Sequence, residues 1–423
     1  MKRPDVVVVG AGAAGCVVAA RLSERIDRSV LLLEAGPDNA EPIRRWPSLS
    51  ATRTPQQQPM GYVSGFGVGG SAALNAMVAN VGEPDDYDEW ERVYGCFGWS
   101  WRDVRPWFRH VALPMRRARR SELGPLSAAV LSALSGAERA RLNRTRDGRR
   151  ASVNEVYLDP ARGRANLQVR PNVLVDRVLF EGRRAVGVML ADGETIEAAT
   201  IVVCAGALHT PAILLRSGVD REGVGRGLHD HPSISVPLTA SSARPARSML
   251  AVSVMARASH AATHDLQIVP IDAADGPSLM AAAMRVYSRG QVRLSSSVAT
   301  VDPIVEFNML TDERDLELLR AAAQLVAATS RQPAVSAVGV AEAISMTDES
   351  LRAAVGDYFH AAGSCRMGAA DDRLAVVDER CRVIGYQSLV VCDASVMPNL
   401  PRGNPCLPTV MIAERVSAML QSE

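Results

Sequence analysis

The stretch DVVVVGAGAAGC, residues Asp5–Cys16, decides how this chain is read. Four successive valines, Val6 to Val9, suit a strand buried on both faces of a parallel sheet. GAGAAG follows at once and puts Gly10, Gly12 and Gly15 in the GxGxxG spacing. Gly10 permits a tight turn, Gly12 lets a pyrophosphate approach the backbone, and Gly15 lets a helix pack close to the strand. AAGCVVAARLSERI reads as that helix, whose free N–H groups and positive end favour phosphate. SVLLLEAG, from Ser29, is a second buried strand and ends on Glu34. A carboxylate there, 24 residues after Gly10, can accept both hydrogen bonds of an adenosine ribose. Strand, glycine turn, helix, strand and acid together predict a dinucleotide site. Whether NAD or FAD fills it, the fingerprint alone leaves open.

The same first residues also look like a secretion leader, with a basic start, an apolar run, small residues and Cys16. Asp5 interrupts that pattern, and cleavage would remove the nucleotide strand, so the strand reading is preferred. A chain of 423 residues can bury a large core and build two or three domains. Lys+Arg is 47 and Asp+Glu is 46, which gives no electrostatic case for nucleic acid or an anionic membrane as partner. The one dense charge run, PMRRARRSE from Pro114, reads as a solvated face or loop. Seven scattered cysteines without a CxxC pair argue for a reducing compartment, the cytoplasm, and against a disulfide scaffold or a metal site. No run of eighteen apolar residues is present, so no transmembrane helix is expected.

Buried-strand patterns return after Asn172, in NVLVDRVLFEGRRAVGVMLADGETIEAATIVVCAGA, and again in SLVVCDAS from Ser388, followed by a helix near Pro408–Leu420. Between about 237 and 352 the pattern changes. QIVPIDAA and GQVRLSSS read as strands, and DERDLELLRAAAQLVAATS reads as an amphipathic helix. The expected class is α/β: a Rossmann-like nucleotide domain made discontinuous by an inserted α+β domain.

Beyond Glu34 the chain resembles the glucose–methanol–choline (GMC) oxidoreductases, and in particular its choline dehydrogenase-like members. GFGVGGSAALNAMVANVGEPDDYDEW (from Gly65), GALHTPAILLRSGV (from Gly206), VGRGLHDHP (from Val224), SRGQVRL (from Ser288), HAAGSCRMG (from His360) and VVCDASVMPNLPRGNPCLPTVMIAER (from Val390) match blocks of that family in family order. The resemblance implies an FAD enzyme that oxidises an alcohol CH–OH group and passes electrons to oxygen, a quinone or another carrier. It implies an FAD-binding domain over 1–236, with a flavin-covering segment at 60–150. A substrate-binding domain over 237–352 and a closing FAD-binding part over 353–423 follow. Gly10, Gly12, Gly15, Glu34, Gly70, Asn75, Val175, Asp393 and Pro405 are the cofactor residues it implies. The helix after Pro405 would point its positive end at the flavin.

Three departures stand out. Some members attach FAD through a histidine at the position of Leu74, so non-covalent FAD is expected here. Phe66 stands where the family often has a cation. Members are also usually longer, and Val111–Arg149 replaces a larger segment.

The resemblance makes His360 the catalytic histidine. A neutral imidazole can take the hydroxyl proton as the carbinol hydride leaves. The family's second residue, histidine or asparagine, falls 44 positions on, at Asn404, whose amide can bind the substrate oxygen. Plainer readings stand beside these: Asn404 as a turn former and Asp393 as a cap. His231 of HDHP is read as structural, and His110, His209, His229, His260 and His264 lack a supporting constellation. The alternatives to an alcohol oxidoreductase are an NAD-dependent dehydrogenase and a degenerate flavin-fold accessory protein.

Overall fold

Val6–Val9 forms β1, with every side chain 5% exposed or less. It lies between β2 (Val30–Leu33) and β4 (Thr200–Val203), with β3 (Leu167–Arg170) beyond β2 and the strand Leu389–Val391 beyond β4. All four pairings are parallel, and Val8 sits opposite Leu32 on one side and Val202 on the other. A central parallel strand is covered on both faces, which is why four valines and no polar residue stand there. The computed structural model describes residues 3–38, 44–240 and 250–422.

Helix α1 (Ala13–Leu22) follows the glycine turn and packs on the last helix, Cys406–Gln421. Arg21 clamps Glu414 with Nε and Nη2 at 2.8 and 2.9 Å, and the Tyr157 hydroxyl donates to the same carboxylate at 2.7 Å. The two ends of the chain are thereby held in one layer.

The second layer is an antiparallel six-stranded sheet. At its centre run β5 (Ser233–Ala240), β8 (Gly276–Ala283), β7 (Leu266–Ala273) and β6 (Val254–Ala258), in that order. Gly339–Ala341 closes one edge and Ala137–Arg139 the other. Glu313–Ser330 packs its apolar stripe (Leu318, Ala322 and Val326) against this sheet. The interrupted α/β plan expected from the sequence is what the chain builds. The closing helix starts at Cys406 and ends at Gln421, slightly beyond the expected span. β3 and β8 carry no expectation: LQVR is short, and GPSLMAAA is rich in small residues with weak strand preference. Within PMRRARRSE, Arg116 is drawn inward rather than solvated, because Glu122 takes its Nη1 at 2.8 Å.

One buried ion pair ties the last catalytic-side loop to the first layer. Arg402 Nε donates to Asp86 Oδ1 at 2.6 Å, and its backbone N–H donates to Oδ2 at 2.7 Å. Removing one partner of such a pair strands the other charge and costs about 3–5 kcal/mol. Arg402→Ala is therefore expected to lower the melting temperature clearly. Arg92→Ala, at an exposed pair 3.7 Å from Asp85, is expected to leave it unchanged. Thermal unfolding followed by circular dichroism compares the two, and equal melting temperatures would contradict this account of the loop.

Candidate active site

A cavity of about 610 Å3 opens where β1, β2 and β4 end. Ligands of open α/β sheets bind at this carboxyl edge. Gly10 holds φ +96°, and a Cβ there would stand 2.6 Å from the Cys204 carbonyl oxygen. A Cβ on Gly15 would stand 1.8 Å from the Gly10 oxygen. Gly12 is different: a Cβ would meet nothing within 4 Å, and the residue lines the cavity. Two glycines make the turn possible, and the third leaves room for a ligand.

Glu34 lines the same cavity and is buried, and burial pushes its carboxyl up from the ordinary range. Its Oε2 accepts the Ala11 N–H at 2.8 Å and its Oε1 the Gly36 N–H at 2.9 Å. Backbone N–H groups thus hold the Glu34 carboxyl in place at the cavity wall, where a ribose would lie. Gly70, Asn75, Val175, Asp393 and Pro405 also reach the cavity wall. Asn75 Oδ1 accepts the Met77 N–H at 2.9 Å and Arg150 Nη1 at 3.0 Å. Arg150 is thus a cation beside the glycine loop that the sequence reading did not identify. Asp393 caps the turn Ala394–Val396 through Ser395 N–H at 2.8 Å, so the capping reading holds. Its other oxygen accepts Gly206 N–H at 2.8 Å and Thr210 Oγ1 at 2.6 Å. The cap therefore also anchors helix Gly206–Arg216 at the cavity. Pro405 precedes Cys406–Gln421, whose N-terminal residues line the wall with their positive end.

At the far end stand His360 and Asn404. Asn404 Nδ2 lies 3.2 Å from His360 Nε2, and Asn404 Oδ1 is buried without a partner. The preceding residue, Phe359, holds φ +60°, a left-handed conformation uncommon for a non-glycine residue. Burial, with His231 adding to it, holds the His360 imidazole well below the usual histidine range. On its other side His360 Nδ1 is 2.9 Å from His231 Nδ1. Asp230 Oδ1 accepts the backbone N–H of both histidines, at 2.7 Å from His231 and 2.9 Å from His360. The Tyr62 hydroxyl donates to Asp230 Oδ2 at 3.2 Å. His229 stays structural: its Nε2 accepts Leu400 N–H at 3.0 Å and its Nδ1 faces Gly227 O at 2.7 Å. His209 stacks on Trp46, with ring centroids 4.0 Å apart, on the cavity wall. Asp230 and Tyr62 escaped the sequence reading, and His231 was read there as structural, because these residues meet the His360 loop from positions far along the chain.

The wall near His360 is apolar. Val252, Met255, Val269, Ile271 and Met280 line it, and the Tyr358 and His360 rings meet in a T-shaped contact with centroids 4.4 Å apart. The carboxylates on the cavity wall, among the described residues, are already engaged. Glu34 and Asp393 take backbone N–H groups, and Asp357 takes Arg53 Nε at 3.1 and 3.0 Å.

A glycine turn, a buried acid, two helix N-terminal ends and a histidine–asparagine pair share one cavity, an arrangement compatible with a flavoprotein oxidoreductase. The chain belongs to the GMC oxidoreductase family, matching it over residues 4–233 and 286–413. Its cofactor is FAD. Free space over Gly12, the Glu34 carboxyl on the cavity wall and the unpartnered Asn404 oxygen fit that group. The chain is 32% identical to the 5-(hydroxymethyl)furfural oxidase of Methylovorus sp. (strain MP688) over 98% of each chain. It is 30% identical to the mitochondrial choline dehydrogenase of Homo sapiens over 99% of this chain and 89% of that one. It superposes on pyridoxine 4-oxidase from Mesorbium loti with a TM-score of 0.89 at 27% identity, covering 99% of both chains. The furfural oxidase alignment runs over 526 positions against a chain of 423, so that relative carries additional segments.

The two kinds of glycine separate by experiment. Gly15→Ala is expected to destabilise the fold, because overpacking against backbone costs about 1–3 kcal/mol. Gly12→Ala is expected to leave the FAD-free melting temperature unchanged and to weaken FAD binding at least about tenfold. Calorimetric titration with FAD and thermal unfolding read both effects, and the reverse pattern would refute the assignment.

Proposed function

We propose that this protein oxidises small, neutral, largely apolar alcohols, with His360 as proton acceptor and Asn404 as the amide that binds the alcohol oxygen. The observation that carries this reading is the His360–Asn404 pair opening onto the cavity that also holds the glycine turn and Glu34. Bound FAD supplies the acceptor for the carbinol hydride. The chain's own residues do the rest. Val252, Met255 and Ile271 exclude water from the reacting carbon, which strengthens each polar contact inside. Asn404 Nδ2 is placed to donate to the oxygen as it loses its proton, and His360 Nε2 takes that proton. Gly10, Gly12 and Gly15, with Glu34, Gly70, Asn75, Val175, Asp393 and Pro405, would hold FAD. Leu74 offers no nucleophile, which supports non-covalent attachment.

The choice of a neutral substrate rests on the wall chemistry. A quaternary ammonium wants an aromatic cage or a free carboxylate. Every cavity carboxylate among the described residues is already bonded. The furfural and pyridoxine oxidases carry the names of small aromatic alcohols, which suits an apolar wall better than choline does.

Anaerobic bleaching of the flavin across a panel of alcohols tests the reading, with benzylic and furfuryl alcohols expected to outrun choline by at least about tenfold. His360→Ala should bind FAD and lose bleaching by about 10²–10⁴-fold. Asn404→His should retain more activity than Asn404→Leu. Because the imidazole is held below 6.5, it stays neutral as pH falls, so the rate should hold down to that pH and drop only below it. Undiminished bleaching by His360→Ala would end the proton-acceptor role, and faster bleaching by choline would end the neutral-substrate reading.

A further inference from the structure

We infer that His231 is a positioning residue that fixes the tautomer of His360, leaving His360 Nε2 bare to accept the alcohol proton; this rests on the alcohol-oxidation reading above. His231 and His360 meet nitrogen to nitrogen, Nδ1 to Nδ1, at 2.9 Å. Two bare lone pairs would repel there, and two N–H groups would clash, so one hydrogen lies between them. The other side of His360 decides which ring owns it. An amide nitrogen only donates, and Asn404 Nδ2 is 3.2 Å from His360 Nε2. Nε2 therefore accepts, and the hydrogen of neutral His360 sits on Nδ1. His231 Nδ1 must then accept, which puts its own hydrogen on Nε2. That nitrogen is buried without a hydrogen-bond partner within bonding distance, and the backbone groups of Met284 and Pro401 beside the ring favour a hydrogen on it. Asn404, His360 and His231 thus pass hydrogens in one direction.

Three further features serve this arrangement. Asp230 Oδ1 accepts both histidine backbone N–H groups, so one carboxyl group sets the spacing of the two rings. The Tyr62 hydroxyl accepts the Ala361 N–H at 3.3 Å and donates to Asp230, fixing the next residue as well. Burial drives the His231 imidazole down to about 3, which keeps it neutral and able to accept.

The step balances simply. The alcohol O–H bond breaks and an N–H bond forms at His360 Nε2, while the C–H electron pair leaves as hydride to the bound flavin. His360 becomes an imidazolium whose Nδ1–H already points at a neutral acceptor, and that hydrogen bond strengthens as the charge appears. Without His231 the Nδ1 hydrogen has no partner, and the Nε2–H tautomer, which cannot accept the proton, becomes populated. Wrong-tautomer histidines can lose up to about 10⁴ in rate.

Two variants and one spectrum test this. His231→Leu removes the acceptor; His231→Asn keeps an oxygen near the place of Nδ1. Both are expected to bind FAD, with alcohol bleaching at least about tenfold slower in Leu and largely recovered in Asn. ¹⁵N-histidine NMR of the oxidised holoprotein, assigned against His360→Ala, should show His360 hydrogen-bearing at Nδ1 and bare at Nε2. In His231→Leu the spectrum should shift toward the other tautomer. Wild-type His360 carrying its hydrogen on Nε2, or a Leu variant that bleaches as fast as wild type, would overturn the inference. If the Leu variant fails to fold, the wild-type spectrum decides alone. If no alcohol bleaches the wild-type flavin, the functional reading fails while the spectrum still judges the tautomer.

Discussion

The parallel sheet is complete only when Leu389–Val391 docks beside β4, and the site depends on that pairing. Ile201 meets Leu389, Val202 meets Val390 and Val203 meets Val391. The chain emerges from this strand at the carboxyl edge, beside the glycine turn, and delivers Asp393, Asn404 and Pro405 in succession. The same segment captures the His360 loop: Gly363 N–H donates to Ala394 O at 3.2 Å and Cys365 N–H to Ser395 O at 2.9 Å. Nucleotide turn and proton acceptor, more than three hundred residues apart in sequence, therefore share one rigid edge. Preorganisation of this kind is what proximity contributes to a hydride transfer.

Local chemistry made the nucleotide half legible. The valine run, the glycine spacing and Glu34 each declare their geometry within a few residues, and the structure places all of them on one cavity. His360 and Asn404 were legible because the family blocks around them are long, and the structure brings the two together. His231 was not legible. HDHP reads locally as a turn, and its neighbour His229 is structural, bonded to Leu400 and Gly227. The antiparallel bridges of His229 to Ala362 and Ser233 to Gly356 bring His231 against His360. A contact spanning 129 residues leaves no local periodicity to read. The second sheet was partly legible for a related reason: β7 is β-branched and apolar, whereas β8 takes its strand form from its neighbours.

The electrostatics of the inner site run in one direction. Burial lifts Asp230 to about 8 and holds both His231 and His360 below the ordinary histidine range, so burial disfavours charge on every member of the cluster. The adjacent ion pair, Arg53 with Asp357, is closed on itself. The proposal of an uncharged substrate follows from this, since a cation would lose its hydration and find the cavity carboxylates already bonded.

That same neutrality sets the difficulty of the reaction. On the proposed mechanism a positive charge appears on His360 as the proton arrives, among buried side chains. Burial works against a charged Asp230, and its oxygens are already taken by the His231 and His360 N–H groups and the Tyr62 hydroxyl. The stabilisation has to come from dipoles already in place, and the nearest is the lone pair of His231 Nδ1, 2.9 Å away and aimed at the nitrogen that shares the new charge. A preoriented neutral acceptor needs no reorganisation when charge develops, whereas a buried carboxylate would hold the imidazolium too well in the resting protein. Such an ion pair would leave His360 protonated before the alcohol entered, and a protonated imidazole cannot act as the base. On the proposed mechanism, a second histidine in place of an acid would keep the base both available before the transfer and stabilised during it.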